Sequence, residues 1–207
     1  MTIGPNSGPV SGISVLVFGD RPVPRPLAGL TQTRIDAEGQ IDGAMGRSRR
    51  LAVVGSEGDL AAVLTRLMRD EQLDIEVAHV RGRLDARRAV AAPARRIPLI
   101  RDDTGTVIVG SALWLPPEGA TVIVGEAVAD DAVLFDGEVA EVRIEPTAAM
   151  PGIRAAVAGR GLRRWQPARA VQLGTTGARV VRDGVTGARQ VRRSTFYRHT
   201  TGWLRVG

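Results

Sequence analysis

The chain has 207 residues, and it contains no cysteine, no lysine and only two histidines. A chain without cysteine forms no disulfide, no thiolate metal site and no thiol nucleophile. The absence of lysine excludes a P-loop of the usual kind and Schiff-base chemistry, because both depend on that side chain. Any binding or catalytic chemistry therefore falls to carboxylates, hydroxyls, backbone groups, arginines and the two histidines.

Aromatic residues make up only 3% of the chain, and long apolar runs are missing as well. The low aromatic content disfavours binding of single-stranded nucleic acid, which uses aromatic side chains as stacking platforms. No apolar run approaches the roughly 20 residues that span a bilayer. The N-terminus also lacks the charged and apolar regions of a secretory signal. These absences predict a cytoplasmic protein.

All 28 basic residues are arginines, and the formal net charge is +6. Arginines are concentrated in residues 47–50, 87–96, 160–164 and 192–193. Such clusters would attract phosphate groups, nucleic acid, or lipids in an anionic membrane surface. Charge runs are also commonly no more than the solvated edges of strands and loops. The sequence leaves both interpretations open.

A short glycine-rich turn joins a predicted strand to a predicted helix. Residues 51–54 form a continuous apolar run, which is typical of a strand buried on both faces in an α/β sheet. From Leu60 to Met68, apolar residues recur at the spacing of one helical face. Gly55 and Gly58 allow another group to approach the backbone closely, and a helix N-terminus favours an anion. The pattern predicts a phosphate-binding loop.

The turn reads Val53-Val54-Gly55-Ser56-Glu57-Gly58-Asp59. This order resembles the Val-Val-Gly-Gly-Asp-Gly-Thr signature of the diacylglycerol kinase and NAD kinase superfamily, which also leads into a helix. Ser56 replaces the family's middle glycine, Glu57 its aspartate and Asp59 its threonine. The chain is identified as a divergent member of that superfamily, shorter than a complete lipid kinase.

Two later stretches are compared with the same family. Asp183-Gly184-Val185 is similar to the family's C-terminal Asp-Gly-Glu turn, which contributes acidic groups near the nucleotide. An earlier triplet, Asp136-Gly137-Glu138, is predicted to be a hairpin turn first and a relocated acidic site second. Residues 81–85 stand where the family has Pro-x-Gly-Thr-x-Asn, and they keep a glycine and an acid but neither Thr nor Asn.

The resemblance implies ATP and Mg²⁺ as cofactors. The phosphate cradle and cofactor-binding residues would be Gly55, Ser56, Glu57, Gly58 and Asp59. The resemblance makes Glu57 and Asp183 the candidate catalytic residues and metal ligands. Asp59 also has a simpler interpretation, because an acid is favoured at a helix N-terminus and would repel phosphate there. Asp183-Gly184 is equally a common sequence of a tight hairpin turn.

The chain is predicted to have an α/β lobe followed by an all-β lobe. Residues 1–49 form an irregular region with one strand, at residues 13–18. Residues 50–98 alternate strand and helix, which indicates a parallel sheet with crossover helices in an eroded nucleotide-binding-like lobe. Residues 99–207 contain short strands separated by turn sequences, which indicates a β-rich, sandwich-like lobe.

Three functional hypotheses follow. The first is a lipid-kinase-like phosphotransferase that transfers phosphate from ATP to a lipid or polyol hydroxyl. The second is a catalytically inactive relative that binds a nucleotide or a partner as a regulatory or scaffold protein. The third is binding of a lipid or anionic surface by the arginine clusters, without a nucleotide. An exposed strand edge near the C-terminus would also permit a homodimer.

Overall fold

Parallel strands and crossover helices form the first half of the chain. A computed structural model describes residues 12–36, 39–45, 48–158 and 164–207. The strands of this half are β1 (Ile13–Phe18), β2 (Thr31–Ile35), β3 (Arg50–Val54), β4 (Glu76–Val80) and β5 (Ala94–Ile97). The helices are α1 (Gly39–Met45), α2 (Glu57–Arg69) and α3 (Arg83–Ala91).

The first sheet also includes the C-terminal strand, which returns to it from the far end of the chain. This strand, β17 (Trp203–Val206), pairs in parallel with β4. The order of the sheet is β2-β1-β3-β4-β17-β5. The pairs β1–β2, β1–β3 and β3–β4 are parallel as well. The predicted parallel sheet with crossover helices is therefore confirmed.

Burial explains why β3 and α2 form where they do. Leu51, Ala52 and Val53 are completely buried, as expected for a strand covered by helices on both faces. Val63, Leu64 and other apolar residues at helical spacing are buried along one face of α2. The helix starts at Glu57, three residues before the apolar pattern begins, because Ser56 caps its N-terminus.

The region before β3 is more regular than its sequence suggests. Residues 1–49 are predicted to hold one strand, but their described part contains β1, β2 and α1. β2 lies at the edge of the sheet, and of its five residues only Ile35 is buried. A polar edge strand of this kind lacks the apolar pattern by which buried strands are recognised.

Antiparallel strands form the second half of the chain. They are β6 (Ile100–Asp102), β7 (Val107–Ile108), β8 (Ala112–Leu115), β9 (Ile123–Ala129), β10 (Ala132–Val139), β11 (Val142–Pro146), β12 (Ile153–Val157), β13 (Gln166–Ala168), β14 (Ala170–Arg182), β15 (Val185–Thr186) and β16 (Val191–Arg198). These eleven strands make up a single sheet. The predicted change from α/β to β structure is confirmed.

The core of the antiparallel half is centred on Trp114. Its indole ring lies 6.1 Å from the ring of Phe196, and both side chains are completely buried. The indole N–H donates a 3.0 Å hydrogen bond to the hydroxyl of Ser194, which is also buried. The polar atom of this large side chain is therefore satisfied inside the core.

The described residues divide into two units. One comprises the described part of Met1–Arg96 together with Trp203–Gly207, and the other comprises Ile97–Gly202. The predicted β-rich lobe extended to residue 207, but the pairing of β17 with β4 places the last strand in the parallel sheet. Within the described ranges, no helix is both long enough and apolar enough to cross a bilayer.

Candidate functional site

The candidate site lies at the carboxyl ends of the parallel strands. From β1 the chain passes to β2 on one side of it, while β3 lies on the other side. The loops that follow β1 and β3 therefore separate at the edge of the sheet. Ligands of open parallel sheets bind in the crevice beyond such a reversal of strand order.

Two cavities open at this edge, and Arg21 lines both of them. The larger, of about 630 Å³, is also lined by Gly19, Ile35, Asp36, Ser56 and Asp59. The smaller, of about 430 Å³, is also lined by Pro22, Val54, Gly55, Arg81 and Gly82. Volumes of this size are typical of small-molecule sites. We refer to the two cavities together as the crevice.

The turn between β3 and α2 contains a capping box. The backbone N–H of Asp59 donates to the hydroxyl of Ser56 at 3.2 Å. In return, the carboxylate of Asp59 accepts hydrogen bonds from the backbone N–H of Ser56 at 2.7 Å and from its hydroxyl at 2.8 Å. The sequence allows Asp59 to be part of a phosphate cradle or simply an acid at a helix N-terminus. In the structure, Asp59 is the reciprocal partner of the N-cap residue Ser56.

Gly55 is the residue that allows Asp59 to fold back. A methyl group on Gly55 would lie 2.7 Å from the Cβ of Asp59 and 2.8 Å from its Oδ2. The group that approaches Gly55 closely is thus a carboxylate of the chain itself. On the other side, the imidazole Nε2 of His79 lies 3.0 Å from the carbonyl oxygen of Gly55 and fixes the orientation of that peptide.

Arg21 links the loop after β1 to this turn. Its guanidinium donates to the carbonyl oxygen of Phe18 at 3.0 Å and to the carboxylate of Asp59 at 3.3 Å. The Arg21 side chain keeps 46% of its exposure, so much of the guanidinium remains available to a ligand. Arg21 is therefore a positive charge held at the junction of the two cavities.

The smaller cavity has a second arginine and an open helix end. Arg81 is exposed, and its backbone N–H donates to the carboxylate of Asp85 at 3.2 Å. Gly82 precedes α3 as its N-cap and makes no side-chain cap, so the first turn of that helix is less satisfied than the first turn of α2. This end of the crevice combines positive charge with unsatisfied backbone donors.

The remaining residues of the predicted cradle lie beside the crevice. Glu57 and Gly58 occupy the first two positions of α2, and neither is among the residues that line the two cavities. Glu57 is exposed. Among the described residues, no three acidic or histidine side chains converge on a point where a metal ion could sit. The structure thus brings together Gly55, Ser56 and Asp59 at the crevice wall, with Glu57 adjacent.

Asp183 lies in the antiparallel half and has defined partners there. Its carboxylate accepts hydrogen bonds from the backbone N–H groups of Val109, Gly110 and Ser111 at 2.8 to 2.9 Å. Asp183 and Gly184 have φ angles of 47° and 85° and connect β14 to β15. Positive φ at both central residues is the geometry of a two-residue hairpin turn. The hairpin interpretation of this sequence is confirmed.

The triplet Asp136-Gly137-Glu138 does not form the predicted hairpin turn. These residues lie within β10 and pair with residues of β9, and Gly137 stands opposite Gly125. The chain reverses at Asp130 and Asp131 instead. The carboxylate of Asp130 there accepts hydrogen bonds from the backbone N–H groups of Arg169 and Ala170.

Two displaced pKa values belong to the antiparallel half. Burial opposes ionisation of Glu145, but hydrogen bonds from Arg143 at 2.7 Å and Arg154 at 2.9 Å outweigh it and hold the pKa of Glu145 below its usual value. Burial, together with the positive charge of Arg101, lowers the pKa of His199. The neutral imidazole is therefore favoured at His199.

The comparisons with known proteins agree with this architecture. No family model and no curated protein matches the sequence. A diacylglycerol kinase structure from Bacillus anthracis str. Sterne matches with a TM-score of 0.72, at 11% identity, over 94% of this chain and 96% of its own. The chain has the diacylglycerol kinase fold.

NAD kinases share this fold as well. An NAD kinase from Archaeoglobus fulgidus in complex with ATP matches with a TM-score of 0.62, at 10% identity, over 95% of this chain and 94% of its own. Yeast NADH kinase complexed with NADH matches with a TM-score of 0.51, at 9% identity, over 85% of this chain and 66% of its own. The resemblance inferred from the glycine turn is confirmed for the fold.

Within this diacylglycerol kinase fold, three crevice residues are not among the site residues that the sequence predicts, although Arg81 belongs to the stretch 81–85 that is compared with a family motif above. Arg21 follows β1, Asp36 follows β2 and Arg81 follows β4. Each is the first or one of the first residues after the carboxyl end of a parallel strand, so the strand order is the signal that could have found them. That signal requires β2 to be recognised, and its polar sequence hides it.

Proposed function

We propose that this protein binds the phosphates of a nucleotide, with ATP as the first candidate, in the crevice of its parallel sheet. The main support for this proposal is that Arg21 lines both cavities beside the Gly55-Ser56 turn. A ligand in the crevice must pass this guanidinium. Arginine is well suited to phosphate, because its planar fork of donors matches the phosphate oxygens.

The neighbouring groups support the same ligand. Arg81 lines the smaller cavity with a largely exposed guanidinium, which lies 3.9 Å from the carboxylate of Asp85, and the first turn of α3 opens beside it. The other structures with this fold include one in complex with ATP and one complexed with NADH. A phosphate chain extending from Arg21 towards Arg81 would be neutralised on both sides. We also propose a cytoplasmic location, where ATP is abundant.

Magnesium would enter with the nucleotide. Mg²⁺ keeps several waters and is usually held by one or two carboxylates together with substrate phosphates. The exposed carboxylate of Glu57, next to the crevice wall, suits that mode of binding, which needs no protein cage of three ligands. The ion would offset repulsion between the phosphates and Asp59.

The geometry supports binding more strongly than phosphoryl transfer. A base or metal ligand needs a carboxylate that can face the reacting groups. The carboxylate of Asp183 instead accepts three backbone hydrogen bonds in its own hairpin, and that of Asp59 belongs to the capping box and to Arg21. We therefore favour a nucleotide-binding regulatory or scaffold protein.

Phosphoryl transfer to a lipid or polyol hydroxyl is the second candidate, because the diacylglycerol kinase fold extends over nearly the whole chain. Incubation with labelled Mg-ATP and vesicles that contain diacylglycerol separates the two. Labelled lipid would establish the kinase. Saturable ATP binding without product would support the binding protein.

Calorimetric titration of Mg-ATP into the wild type and into Arg21→Gln tests the proposal. Loss of a charge-assisted hydrogen bond, worth about 1.5 to 3 kcal/mol, should weaken binding about tenfold or more. Arg69→Gln removes the same charge from the opposite end of α2, about 18 Å from its start by helical rise, and should leave affinity nearly unchanged. Equal losses in both variants, or no binding by the wild type, would refute the proposal.

A further inference from the structure

The larger cavity extends from Arg21 to the end of β2, where Asp36 is found. Asp36 directly follows Ile35, the last residue of that strand. The cavity therefore runs along the carboxyl edge of the sheet, from the turn at Ser56 to the carboxylate of Asp36. One end carries the guanidinium of Arg21, paired with the carboxylate of Asp59, and the other end carries the carboxylate of Asp36. The Asp36 end is therefore the more negative, and this difference orients a charged ligand.

The carboxylate of Asp36 is available to a ligand. Its backbone N–H donates to the side-chain oxygen of Gln40 at 2.6 Å, which ties the end of β2 to α1. Arg34, the basic residue nearest in sequence, is directed to the carbonyl oxygen of Gly19 and to Asp20. Within the described ranges, no hydrogen bond or ion pair involves the carboxylate of Asp36 itself.

The wall between the two charged ends is apolar. Ile35 and Ile41 are 5% and 1% exposed, and they line the cavity together with Phe18 and Ala62. A wall of this kind suits the flat, weakly polar face of a base or a sugar ring. The phosphates, which are anionic, belong at the Arg21 end, because the guanidinium there offsets the charge of Asp59 and Asp36 has no such partner in the described part of the chain.

We propose that the larger cavity binds the nucleoside half of the nucleotide and that Asp36 accepts hydrogen bonds from its vicinal ribose hydroxyls. This inference rests on the proposed function. A carboxylate has acceptors only, and its two oxygens match two neighbouring hydroxyl donors. An acidic residue at the end of the second strand binds the ribose in the same way in other doubly wound folds. The site therefore selects ribonucleotides and rejects a 2′-phosphate.

The test compares binding of Mg-ATP and Mg-2′-deoxy-ATP by calorimetry to the wild type, Asp36→Ala and Asp20→Ala. We expect the wild type to bind the deoxynucleotide about tenfold more weakly, as loss of one hydrogen bond to a charged group would cause. In Asp36→Ala the two affinities should become equal. Asp20→Ala removes an exposed acid from the loop after β1 and should keep the preference of the wild type.

Each outcome bears on a defined part of the inference. Equal affinities in the wild type would overturn the ribose assignment and leave nucleotide binding in place. Persistence of the preference in Asp36→Ala would overturn the role of Asp36. No binding of ATP to the wild type would overturn the ribose assignment together with the proposed function. The wild-type comparison remains decisive even if a variant fails to fold.

Discussion

Gly55 and Asp59 are packed so closely that a methyl group on Gly55 would lie 2.7 Å from the Cβ of Asp59. The glycine accommodates a carboxylate from its own helix, which bonds to the N–H and hydroxyl of Ser56. The packing of Asp59 therefore requires glycine at this position, whether or not a ligand binds. The acid also places a negative charge on the wall of the proposed phosphate site.

This packing predicts energetic coupling between the two residues. Gly55→Ala should destabilise the protein because the new methyl group collides with the side chain of Asp59, including its Cβ. Asp59→Gly should lose the hydrogen bonds of the carboxylate to Ser56, worth about 0.5 to 1.5 kcal/mol each, and should cost about 1 kcal/mol more for glycine in a helix. In the double variant the colliding side chain is gone, so its loss should be smaller than the sum of the single losses, by about 0.5 to 3 kcal/mol. Denaturant unfolding of the four proteins measures this coupling. Simple additivity would show that the turn relaxes without a clash.

Because Asp59 is negatively charged, we expect that replacing it with a neutral residue strengthens nucleotide binding. In Asp59→Asn the amide oxygen can still accept from Ser56, while repulsion of phosphate is removed and Arg21 is released. Two charges about 4 Å apart in water interact by about 1 kcal/mol, so affinity for Mg-ATP should rise about fivefold. Asp70→Asn, the same change after the other end of α2, is the matched control in a calorimetric titration. An unchanged or weaker affinity in Asp59→Asn would mean that its carboxylate does not face the phosphates.

Sequence patterns predict those elements whose burial gives a clear apolar pattern. β1 agrees with the predicted residues 13–18 at both ends, and β3 differs by one residue, because both strands are buried apolar runs. β2 lacked such a signal, since four of its five residues are at least partly exposed. The antiparallel half was recognised as β structure, but no local pattern could show that β17 pairs with β4, a contact between distant parts of the chain.

The candidate site was predictable only in part, for a similar reason. Gly55, Ser56 and Asp59 lie together because they are neighbours in sequence, so a local motif was sufficient to find them. Arg21 and Asp36 reach the same crevice only through the order of the strands, which a single sequence does not state. The contact of the Asp59 carboxylate with Gly55 depends on side-chain geometry, so the sequence does not predict it either.

The lowered pKa of His199 predicts a loss of stability in weak acid. Burial and Arg101 disfavour the imidazolium in the folded chain, so the unfolded chain takes up the proton at a higher pH. The contribution of His199 to the free energy of unfolding is fully present above the usual histidine pKa, near 6.5. It is lost as the pH drops below that value towards the lowered pKa of the folded chain. We expect unfolding free energies from pH 7.5 to 5.5 to fall less steeply in His199→Gln.

The pH window separates His199 from the other displaced group. Glu145 also has a lowered pKa, but a carboxyl group with a lowered pKa loses its contribution only below its unfolded value, near 4.3. Glu145→Gln should therefore leave the slope between pH 7.5 and 5.5 unchanged. If the unfolding free energies of His199→Gln and the wild type change equally with pH in this window, His199 has the same pKa in the folded and the unfolded chain, and the prediction is wrong.

The three backbone hydrogen bonds of Asp183 predict a structural role that can be separated from catalysis. In Asp183→Ala the N–H groups of Val109, Gly110 and Ser111 lose their acceptor, so the antiparallel half should lose about 2 to 4 kcal/mol of stability. Asp131→Ala, which removes an exposed acid from the β9–β10 turn, should cost much less. Denaturant unfolding followed by tryptophan fluorescence, to which buried Trp114 contributes from the core of this half, measures both. A stable Asp183→Ala variant that binds Mg-ATP normally but has lost a phosphotransferase activity would instead identify Asp183 as part of a catalytic site, because a residue needed only for the hairpin cannot be removed without loss of stability.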